Sequence, residues 1–348
     1  MEYKRLGRSG LQLSRLGLGS WLTIAHKTDL PAARQMIAYA LDAGVNFFDT
    51  AENYANGDTQ IMLGRVLREI GAPRSAYCLS SKVFWGGDRP TQRGLSRKHV
   101  TDACNDALSR LEVAYLDLYF CHRPDPDTPV LETARAMHDL IVQGKVLYWG
   151  TSEWTPAQLR AAFKAAADDG LHPPVAEQPP YSLFDRHRLE YQTQPVARQL
   201  GLGILSTTPL SSGILSGKYL ELDQQHARLN VADNAWLRER LAYCFEEKST
   251  NKVREVQRLA SKLGATAAQV SIAWCLMNPA VTSVITGASD IEQLKSNLEA
   301  LDLLSALDAP GRDELRRLAV GNRLMRVVDW LKYKSGPARR SMRSWSGR

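Results

Sequence analysis

Residues 46–54 read Asn-Phe-Phe-Asp-Thr-Ala-Glu-Asn-Tyr, and the fold can be predicted outward from this stretch. An apolar run ends abruptly in Asp49, and Tyr54 follows five residues later. Lys82 closes a second short apolar run, and His122 closes a third. Because each run has the length of a strand, we expect the four side chains at or just past strand ends. A carboxylate, a phenol, an ammonium and an imidazole in such places indicate proton transfer.

A strand-like run followed by a helix-like segment recurs along most of the 348-residue chain. The predicted strands are residues 16–19, 46–49, 77–82, 116–121, 146–150, 175–178, 203–207 and 283–286. Amphipathic helices are predicted at 32–43, 98–111 and 130–143, with stop signals at Gly44, Gly144 and Gly201. Eight such units in about 300 residues favour an α/β fold, the closed (β/α)8 TIM barrel.

An open doubly wound sheet is the alternative fold. Such a sheet is expected to carry a glycine-rich dinucleotide turn after its first strand. Here the first predicted strand is followed by Ser20-Trp21-Leu22, which disfavours that alternative. Residues 2–14 predict a small β-hairpin that caps the barrel, with Arg8-Ser9-Gly10 as its turn.

Two segments depart from the strand–helix pattern. Residues 219–252 form an extra stretch before the eighth unit, and we interpret it as a long loop with an added helix around residues 236–240. The predicted barrel domain covers residues 1–320, and a basic C-terminal extension covers 321–348. Within the extension we expect one helix over residues 327–333 and disorder from residue 335 onward.

Composition limits the classes of function. The apolar fraction of 44% is enough for a large core, and neither a membrane span nor a signal peptide is visible, so we expect a cytoplasmic protein. Residues 322–348 hold eight basic residues against one acidic residue, which accounts for the net charge of +7. We interpret this tail as solvated, and a nucleic-acid partner is not favoured. The five cysteines are scattered without Cys-x-x-Cys spacing, so we expect buried thiols and no metal site.

The sequence around these residues resembles the aldo-keto reductase family over roughly residues 1–315. Residues 44–54, Gly-Val-Asn-Phe-Phe-Asp-Thr-Ala-Glu-Asn-Tyr, resemble its first signature, and Lys82 and His122 fall at its remaining catalytic positions. The branch most resembled is that of voltage-gated potassium channel β subunits and their bacterial relatives. The runs that carry this similarity are Trp85-Gly86-Gly87, residues 94–99, residues 123–129 and residues 148–152.

The resemblance implies NADPH-dependent reduction of an aldehyde or ketone. In that chemistry Tyr54 donates the proton, and the Lys82 ammonium is expected to lower the pKa of the phenol. Asp49 would hold Lys82 charged and oriented, and His122 would donate a hydrogen bond to the carbonyl oxygen. Eukaryotic channel subunits commonly carry Asn at the His122 position, so this chain resembles a working reductase more than a purely regulatory one.

The resemblance also assigns the binding residues. The expected NADP(H) contacts are Ser20, Trp21, Asp49, Ser152, Gln178, Thr207, Thr208, Pro209, Leu210, Ser211, Ser212, Lys218, Arg228, Gly287, Ser289, Gln293 and Asn297. Tyr54, Trp85 and His122 are expected to contact the substrate, and Trp21 is a further candidate for the pocket wall. Residues 287–289 are expected to open a helix whose amides suit a phosphate.

Several positions differ from those of the relatives. Many relatives carry Arg at the Gln293 position, so Lys218 or Arg228 is expected to supply the charge for the 2′-phosphate. Glu153 stands where the channel branch has Arg, and Thr207 where it has Trp. The preference for NADPH over NADH is therefore left open.

The alternative function is an NADP(H)-binding, redox-sensing regulatory subunit of a membrane channel with slow turnover. We favour the enzyme, with a small carbonyl substrate and a homo-oligomer of four or more chains as the expected assembly. The sequence does not identify the substrate, because specificity in this fold depends on loop shape.

Overall fold

The computed structural model describes residues 1–21, 23–24, 28–220, 239 and 242–320. The strands are β1 Tyr3–Arg5, β2 Gln12–Ser14, β3 Leu16–Gly19, β4 Phe47–Asp49, β5 Cys78–Val83, β6 Leu116–Cys121, β7 Val146–Thr151, β8 Ala176–Glu177, β9 Gly203–Ser206 and β10 Val281–Thr286. The helices are α1 Leu30–Asp42, α2 Asp58–Ile70, α3 Arg97–Leu111, α4 Val130–Val142, α5 Pro156–Asp168, α6 Gln194–Leu200, α7 Glu247–Lys262, α8 Ala267–Leu276, α9 Ile291–Leu298, α10 Ala300–Ala306 and α11 Ala309–Val320.

Strands β3 to β10 close into a parallel eight-stranded barrel, which confirms the predicted TIM barrel. The last strand pairs on both sides, with Val284 opposite Ser206 of β9 and Leu16 of β3. A sheet closed in this way has no edge, so the open doubly wound alternative is wrong. The eight predicted strands match the observed ones to within two residues at each end. Their apolar runs are nearly continuous because helices cover the outer face of the barrel.

The N-terminal hairpin closes the amino end of the barrel, as predicted. β1 and β2 pair antiparallel, with Lys4 opposite Leu13. Leu6 and Leu13 are fully buried and join an interior cluster. The other buried members of that cluster are Phe47, Cys78, Leu118, Phe120, Ala176, Leu205 and Ile285. The hairpin therefore acts as a hydrophobic plug opposite the carboxyl ends of the strands.

Gly7, in the hairpin turn, is the residue on which the seating of this plug depends. Its φ of +58° is left-handed, and a Cβ there would lie 2.2 Å from the carbonyl oxygen of Gly201. We expect Gly7→Ala to lower the free energy of unfolding by about 1–3 kcal/mol, because the hairpin must shift. Urea unfolding measures the effect. Gly10→Ala in the same turn is the matched control, since a Cβ at Gly10 meets nothing within 4 Å. Equal midpoints for the two variants would contradict this account of the plug.

Helices α1, α3 and α4 match the three predicted amphipathic segments to within two residues. Asp29 begins α1 by accepting a 2.9 Å hydrogen bond from the Ala32 amide, and Ser96 caps α3 in the same way. Gly44, Gly144 and Gly201 adopt left-handed φ values of +83°, +71° and +76°, as expected of residues that stop a helix. Local cap chemistry thus sets where these helices begin and end.

Some predictions fall outside the described residues. They are the added helix around residues 236–240, apart from Glu239, and the whole extension 321–348 with its expected helix and disorder.

In the described part, no helix is both long and apolar enough to cross a membrane. All five cysteines are buried, as predicted, and burial raises the pKa of Cys78 and of Cys104 to about 12. Thiols held protonated in this way are poor nucleophiles.

Candidate active site

Four polar side chains meet at the carboxyl rim of the barrel. Asp49 is the last residue of β4, Lys82 lies one residue before the end of β5, and His122 directly follows β6. Tyr54 begins a short turn after β4. Neighbouring parallel strands end at the same rim, so residues 73 positions apart in the chain become neighbours in space. The structure brings all four predicted catalytic side chains together.

Lys82 is the centre of this group. Its side chain is fully buried, and its ammonium donates to Asp49 Oδ2 at 2.6 Å, to the Thr50 carbonyl at 2.8 Å and to the Tyr54 hydroxyl at 3.2 Å. Burial acts to lower the pKa of Lys82, but Asp49 and Tyr54 outweigh it and the pKa is raised. The side chain therefore stays an ammonium at neutral pH, with its three hydrogens used.

Asp49 is oriented by bonds to both carboxylate oxygens. While Oδ2 faces Lys82, Oδ1 accepts from Ser80 Oγ at 2.7 Å and from Gln178 Nε2 at 3.2 Å. Ser80 was not among the site residues predicted from the sequence. Its place could have been inferred, because residues two apart on a strand share a face and Ser80 precedes Lys82 by two.

Tyr54 is held as a protonated phenol. Burial raises its pKa above the ordinary value, and the opposing effect of the Lys82 ammonium does not overcome it. The expectation of a lowered pKa is therefore wrong for the net shift, although Lys82 does act in the predicted direction. An ammonium has no lone pair, so the phenol oxygen accepts from Lys82 and its own proton points elsewhere. Tyr54 is thus prepared to donate that proton.

His122 is a neutral imidazole. Burial, followed by the nearby Arg123 and Lys82 charges, holds its pKa well below the usual range. Its Nδ1 is buried and has no hydrogen-bond partner among the described residues. The ring lies 5.8 Å from the Tyr54 ring, measured between centroids. A neutral imidazole can donate one hydrogen bond without bringing a charge beside Lys82.

Aromatic side chains surround the two proton-carrying groups. The Trp85 ring lies 4.9 Å from His122, and the Trp21 ring lies 6.5 Å from Tyr54. Phe84, which the sequence reading missed, packs against Trp85 at 4.9 Å. The three predicted substrate residues, Tyr54, Trp85 and His122, are therefore neighbours, and the walls beside them are aromatic and apolar.

Three of the predicted cofactor residues converge on the same centre. Ser152 follows β7, and its hydroxyl donates to the Gln178 carbonyl at 2.9 Å. Gln178 follows β8 and reaches Asp49 through its amide. Ser20 follows β3, and its hydroxyl donates to the Asp49 carbonyl at 3.0 Å. Hydroxyl and amide groups of this kind suit a carboxamide, which both donates and accepts hydrogen bonds.

The loop after β9 contains the next set of predicted cofactor residues. This set is Thr207, Thr208, Pro209, Leu210, Ser211 and Ser212. Three of them, Thr208, Ser211 and Ser212, have a left-handed backbone conformation, with φ values of +53°, +46° and +59°. Turns of this kind can point successive backbone N–H groups into one concavity, which suits a phosphate. Lys218 lies alongside, since a Cβ on Gly213 would come within 2.8 Å of its Cε. Arg228 lies outside the described residues.

The segment after β10 holds the last set. Ser289 Oγ donates to Gln293 Oε1 at 3.0 Å, and Asn297 Nδ2 donates to the Gly287 carbonyl at 3.3 Å. Each bond joins two of the predicted residues, Ser289 with Gln293 and Asn297 with Gly287. The helix begins at Ile291, later than the predicted opening at 287–289, because Asp290 caps it by accepting from the Gln293 amide at 2.8 Å. A carboxylate thus already satisfies one amide of that helix end.

Comparison with known proteins agrees with this geometry. The sequence profile of the Aldo/keto reductase family matches residues 15–315. The chain belongs to the aldo/keto reductase family. It is 43% identical over 311 residues to a probable voltage-gated potassium channel subunit beta of Oryza sativa subsp. japonica, covering 88% of this chain and 93% of that protein. A probable voltage-gated potassium channel subunit beta of Arabidopsis thaliana is 40% identical over 322 residues, covering 91% of this chain and 96% of that protein.

Aldo/keto reductases are oxidoreductases that typically use nicotinamide cofactors. The side chains at this rim fit such a group by their chemistry. Ser152 and Gln178 lie beside the buried Asp49–Lys82–Tyr54 cluster, and the left-handed loop after β9 lies next along the rim. In the described part of the chain, no group of three or more His, Cys, Asp or Glu side chains could hold a metal ion.

Proposed function

We propose that the chain reduces an aldehyde or ketone to the alcohol with NADPH, and that Tyr54 is the proton donor. The observation that carries this proposal is the Lys82 ammonium, which contacts Asp49 at 2.6 Å and Tyr54 at 3.2 Å in a buried setting. A structural lysine would need only one counter-charge, whereas this one also bonds a phenol whose proton is left for another acceptor.

The proposed reaction separates into a hydride step and a proton step. A nicotinamide held by Ser152 and Gln178 would supply the hydride for the carbonyl carbon. His122, neutral and buried, donates a hydrogen bond to the carbonyl oxygen and orients it. Tyr54 passes its proton to that oxygen as negative charge develops there, and the Lys82 ammonium stabilises the phenolate that remains. Asp49 keeps Lys82 charged throughout, and the aromatic walls exclude water.

We assign the cofactor to the rim between β3 and β10. Ser152 and Gln178 would hold the nicotinamide carboxamide, and Ser20, Trp21 and Asp49 would lie beside it. The pyrophosphate would lie on residues 207–212 with Lys218 and Arg228. The adenosine would lie along Gly287, Ser289, Gln293 and Asn297. We further propose a cytoplasmic homo-oligomer of four or more chains, made of a barrel domain, residues 1–320, and a basic extension, residues 321–348.

The second candidate is a redox-sensing regulatory subunit of a membrane channel. Similarity to the two plant proteins named as channel subunits favours it. In that role bound NADP(H) would report redox state to the channel, and turnover would be slow. The imidazole at His122 favours the enzyme, because it adds a hydrogen-bond donor at the place where the carbonyl oxygen must be held.

The loss of NADPH absorbance with a panel of small aldehydes and ketones tests the proposal. Steady turnover well above that of the Tyr54→Phe variant is the expected result. If no carbonyl gives such turnover although NADPH binds, the enzyme proposal fails. If the NADPH-bound chain then co-sediments with membranes that contain a channel, the result would favour the regulatory subunit. Repeating the assay with NADH measures the cofactor preference.

A further inference from the structure

A short ribbon carries the Trp85 wall of the site. The segment between β5 and α3 folds back on itself, with Trp85 bridged to Arg93. The amides of Gly86 and Gly87 both donate to the Gln92 carbonyl, and the Gly94 amide donates to the Phe84 carbonyl at 3.0 Å. A ribbon this short has little stability of its own. The position of Trp85 therefore depends on the side chains that pack against the ribbon.

Two buried side chains hold the two arms of the ribbon. Glu52, just after β4, accepts a 2.5 Å hydrogen bond from the Phe84 amide through Oε1. His99, on α3, places Nδ1 at 2.9 Å from the Gly94 carbonyl oxygen. The other Glu52 oxygen lies 3.2 Å from His99 Nε2, and the two side chains are only 5% and 4% exposed. Glu52 and His99 thus link the arms through each other.

The geometry favours a charged ring on His99. His99 Nδ1 faces a carbonyl oxygen, so it must carry a hydrogen. Nε2 lies 3.2 Å from a Glu52 carboxylate oxygen but has no hydrogen-bond partner among the described residues, so the contact is one between charges. A second proton on Nε2 makes the ring an imidazolium, which the nearby Glu52 carboxylate attracts. The Glu52 carboxylate outweighs the effect of burial and raises the pKa of His99, which agrees with a charged pair.

The ribbon rests directly on this pair. A Cβ at Gly86 would lie 2.7 Å from His99 Nε2 and 2.8 Å from Glu52 Oε2, so no layer of side chains separates them. Gly86 is the neighbour of Trp85, and the Trp85 ring packs on His122 at 4.9 Å. Any displacement of the pair is therefore transmitted to the wall that faces His122.

We propose that Glu52 and His99 are positioning residues that fix Trp85 over His122 and so set how tightly a carbonyl substrate binds. This inference rests on the proposed function, since it assigns Trp85 to the substrate site. Neither side chain touches the reacting atoms, and both act through the ribbon. The expected signature is a change in KM, with kcat nearly constant.

The pair also gives substrate binding a pH dependence with a definite sign. Glu52 and Asp102, on the helix of His99, both act to raise the pKa of His99. Tyr119 of β6 lies near Glu52, and burial raises the pKa of its phenol so that it stays neutral. As the pH rises through the raised pKa of His99, the ring loses its charge, its attraction to Glu52 weakens and the ribbon loosens. KM is then expected to rise as the pH passes through that pKa.

His99→Phe tests the proposal, because it keeps a ring of similar size and removes both ring nitrogens. We expect KM to rise about five- to tenfold with kcat within about twofold, and the pH dependence of KM to disappear. In a Trp85→Ala background, His99→Phe should change KM no further. His138→Phe, on α4 and paired with His172 away from the site, is the matched control and should leave KM unchanged. If His99→Phe does not fold, Glu52→Leu is the second variant, because it removes both carboxylate oxygens and should raise KM in the same way.

A second readout does not need turnover. The Trp85 emission, obtained by subtracting the spectrum of the Trp85→Phe variant, should shift to the red in His99→Phe and in the parent protein at pH values above the pKa of His99. An unchanged KM and emission, or a fall in kcat at constant KM, would overturn the positioning role. If the parent protein reduces no carbonyl, the proposed function fails, and the emission alone decides on Glu52 and His99.

Discussion

The Tyr54→Phe variant is expected to lose about 10²–10⁴-fold in kcat while it binds NADPH as tightly as the parent protein. The substitution removes a single oxygen, the one that lies 3.2 Å from Lys82 Nζ. It leaves the ring, and with it the packing against His122 and Trp21. The loss should therefore fall on the proton step. Single-turnover kinetics with an aldehyde, together with a titration of bound NADPH fluorescence, measures both quantities.

The pH profile sharpens this expectation. Burial raises the pKa of Tyr54 above its ordinary value near 10, so the phenol should stay protonated across the neutral range. The kcat of the parent protein should accordingly be flat there and fall only as the phenol ionises. Tyr39→Phe is the matched control, because Tyr39 lies exposed on α1. Full activity in Tyr54→Phe would mean that another group, such as the Lys82 ammonium or His122, delivers the proton.

Part of this site was predictable from the sequence for a geometric reason. The barrel follows from strand-length apolar runs that alternate with amphipathic helices. Because the carboxyl ends of all barrel strands lie at one rim, Asp49, Lys82 and His122 then come together. These inferences need only the order and spacing of residues along the chain. The same logic placed the N-terminal hairpin at the barrel end, because Leu11 and Leu13 alternate with polar residues.

The remainder depends on contacts that no spacing reveals. The sign of the Tyr54 pKa shift is set by how deeply the ring is buried, and that depends on walls contributed by other loops. The link between Glu52 and His99 joins residues 47 positions apart whose carboxylate and imidazole look like ordinary surface groups in the sequence. The predicted start of α9 is wrong because Asp290, and not Gly287 or Ser289, accepts the capping hydrogen bond from the Gln293 amide.

The Lys82→Met variant is expected to lose about 3–5 kcal/mol of stability as well as its activity, because it leaves the Asp49 carboxylate buried without its counter-charge. The lysine side chain is 0% exposed and that of Asp49 is 4% exposed, so water cannot replace the ammonium. Urea unfolding of the parent and variant measures the loss. Lys98→Met is the control, since Lys98 forms an exposed ion pair with Asp102 and should cost about 1 kcal/mol or less.

Pairing this change with Asp49→Asn separates stability from catalysis. The double variant Asp49→Asn/Lys82→Met removes both charges, and the Asn oxygen can still accept from Ser80. Most of the lost stability should therefore return, because replacing both partners of a buried pair is far less costly than removing one. Activity should not return, since no ammonium is left to stabilise the Tyr54 phenolate. A double variant as unstable as Lys82→Met would show that packing of the lysine stem, and not the charge, holds the rim together.

The pH dependence of stability also shows whether the Lys82 charge or the packing of its side chain accounts for the stability lost in Lys82→Met. In the parent protein the pKa of Lys82 is raised in the folded state. Its stabilising contribution is thus fully present below the unfolded value near 10.5 and is lost as the pH rises through the folded value. In Lys82→Met the buried Asp49 carboxyl should instead take up a proton on acidification, because burial without a counter-charge raises a carboxyl pKa. The stability gap between parent and variant should therefore narrow as the pH falls. A gap that stays constant from neutral to acidic pH would assign the loss to packing alone.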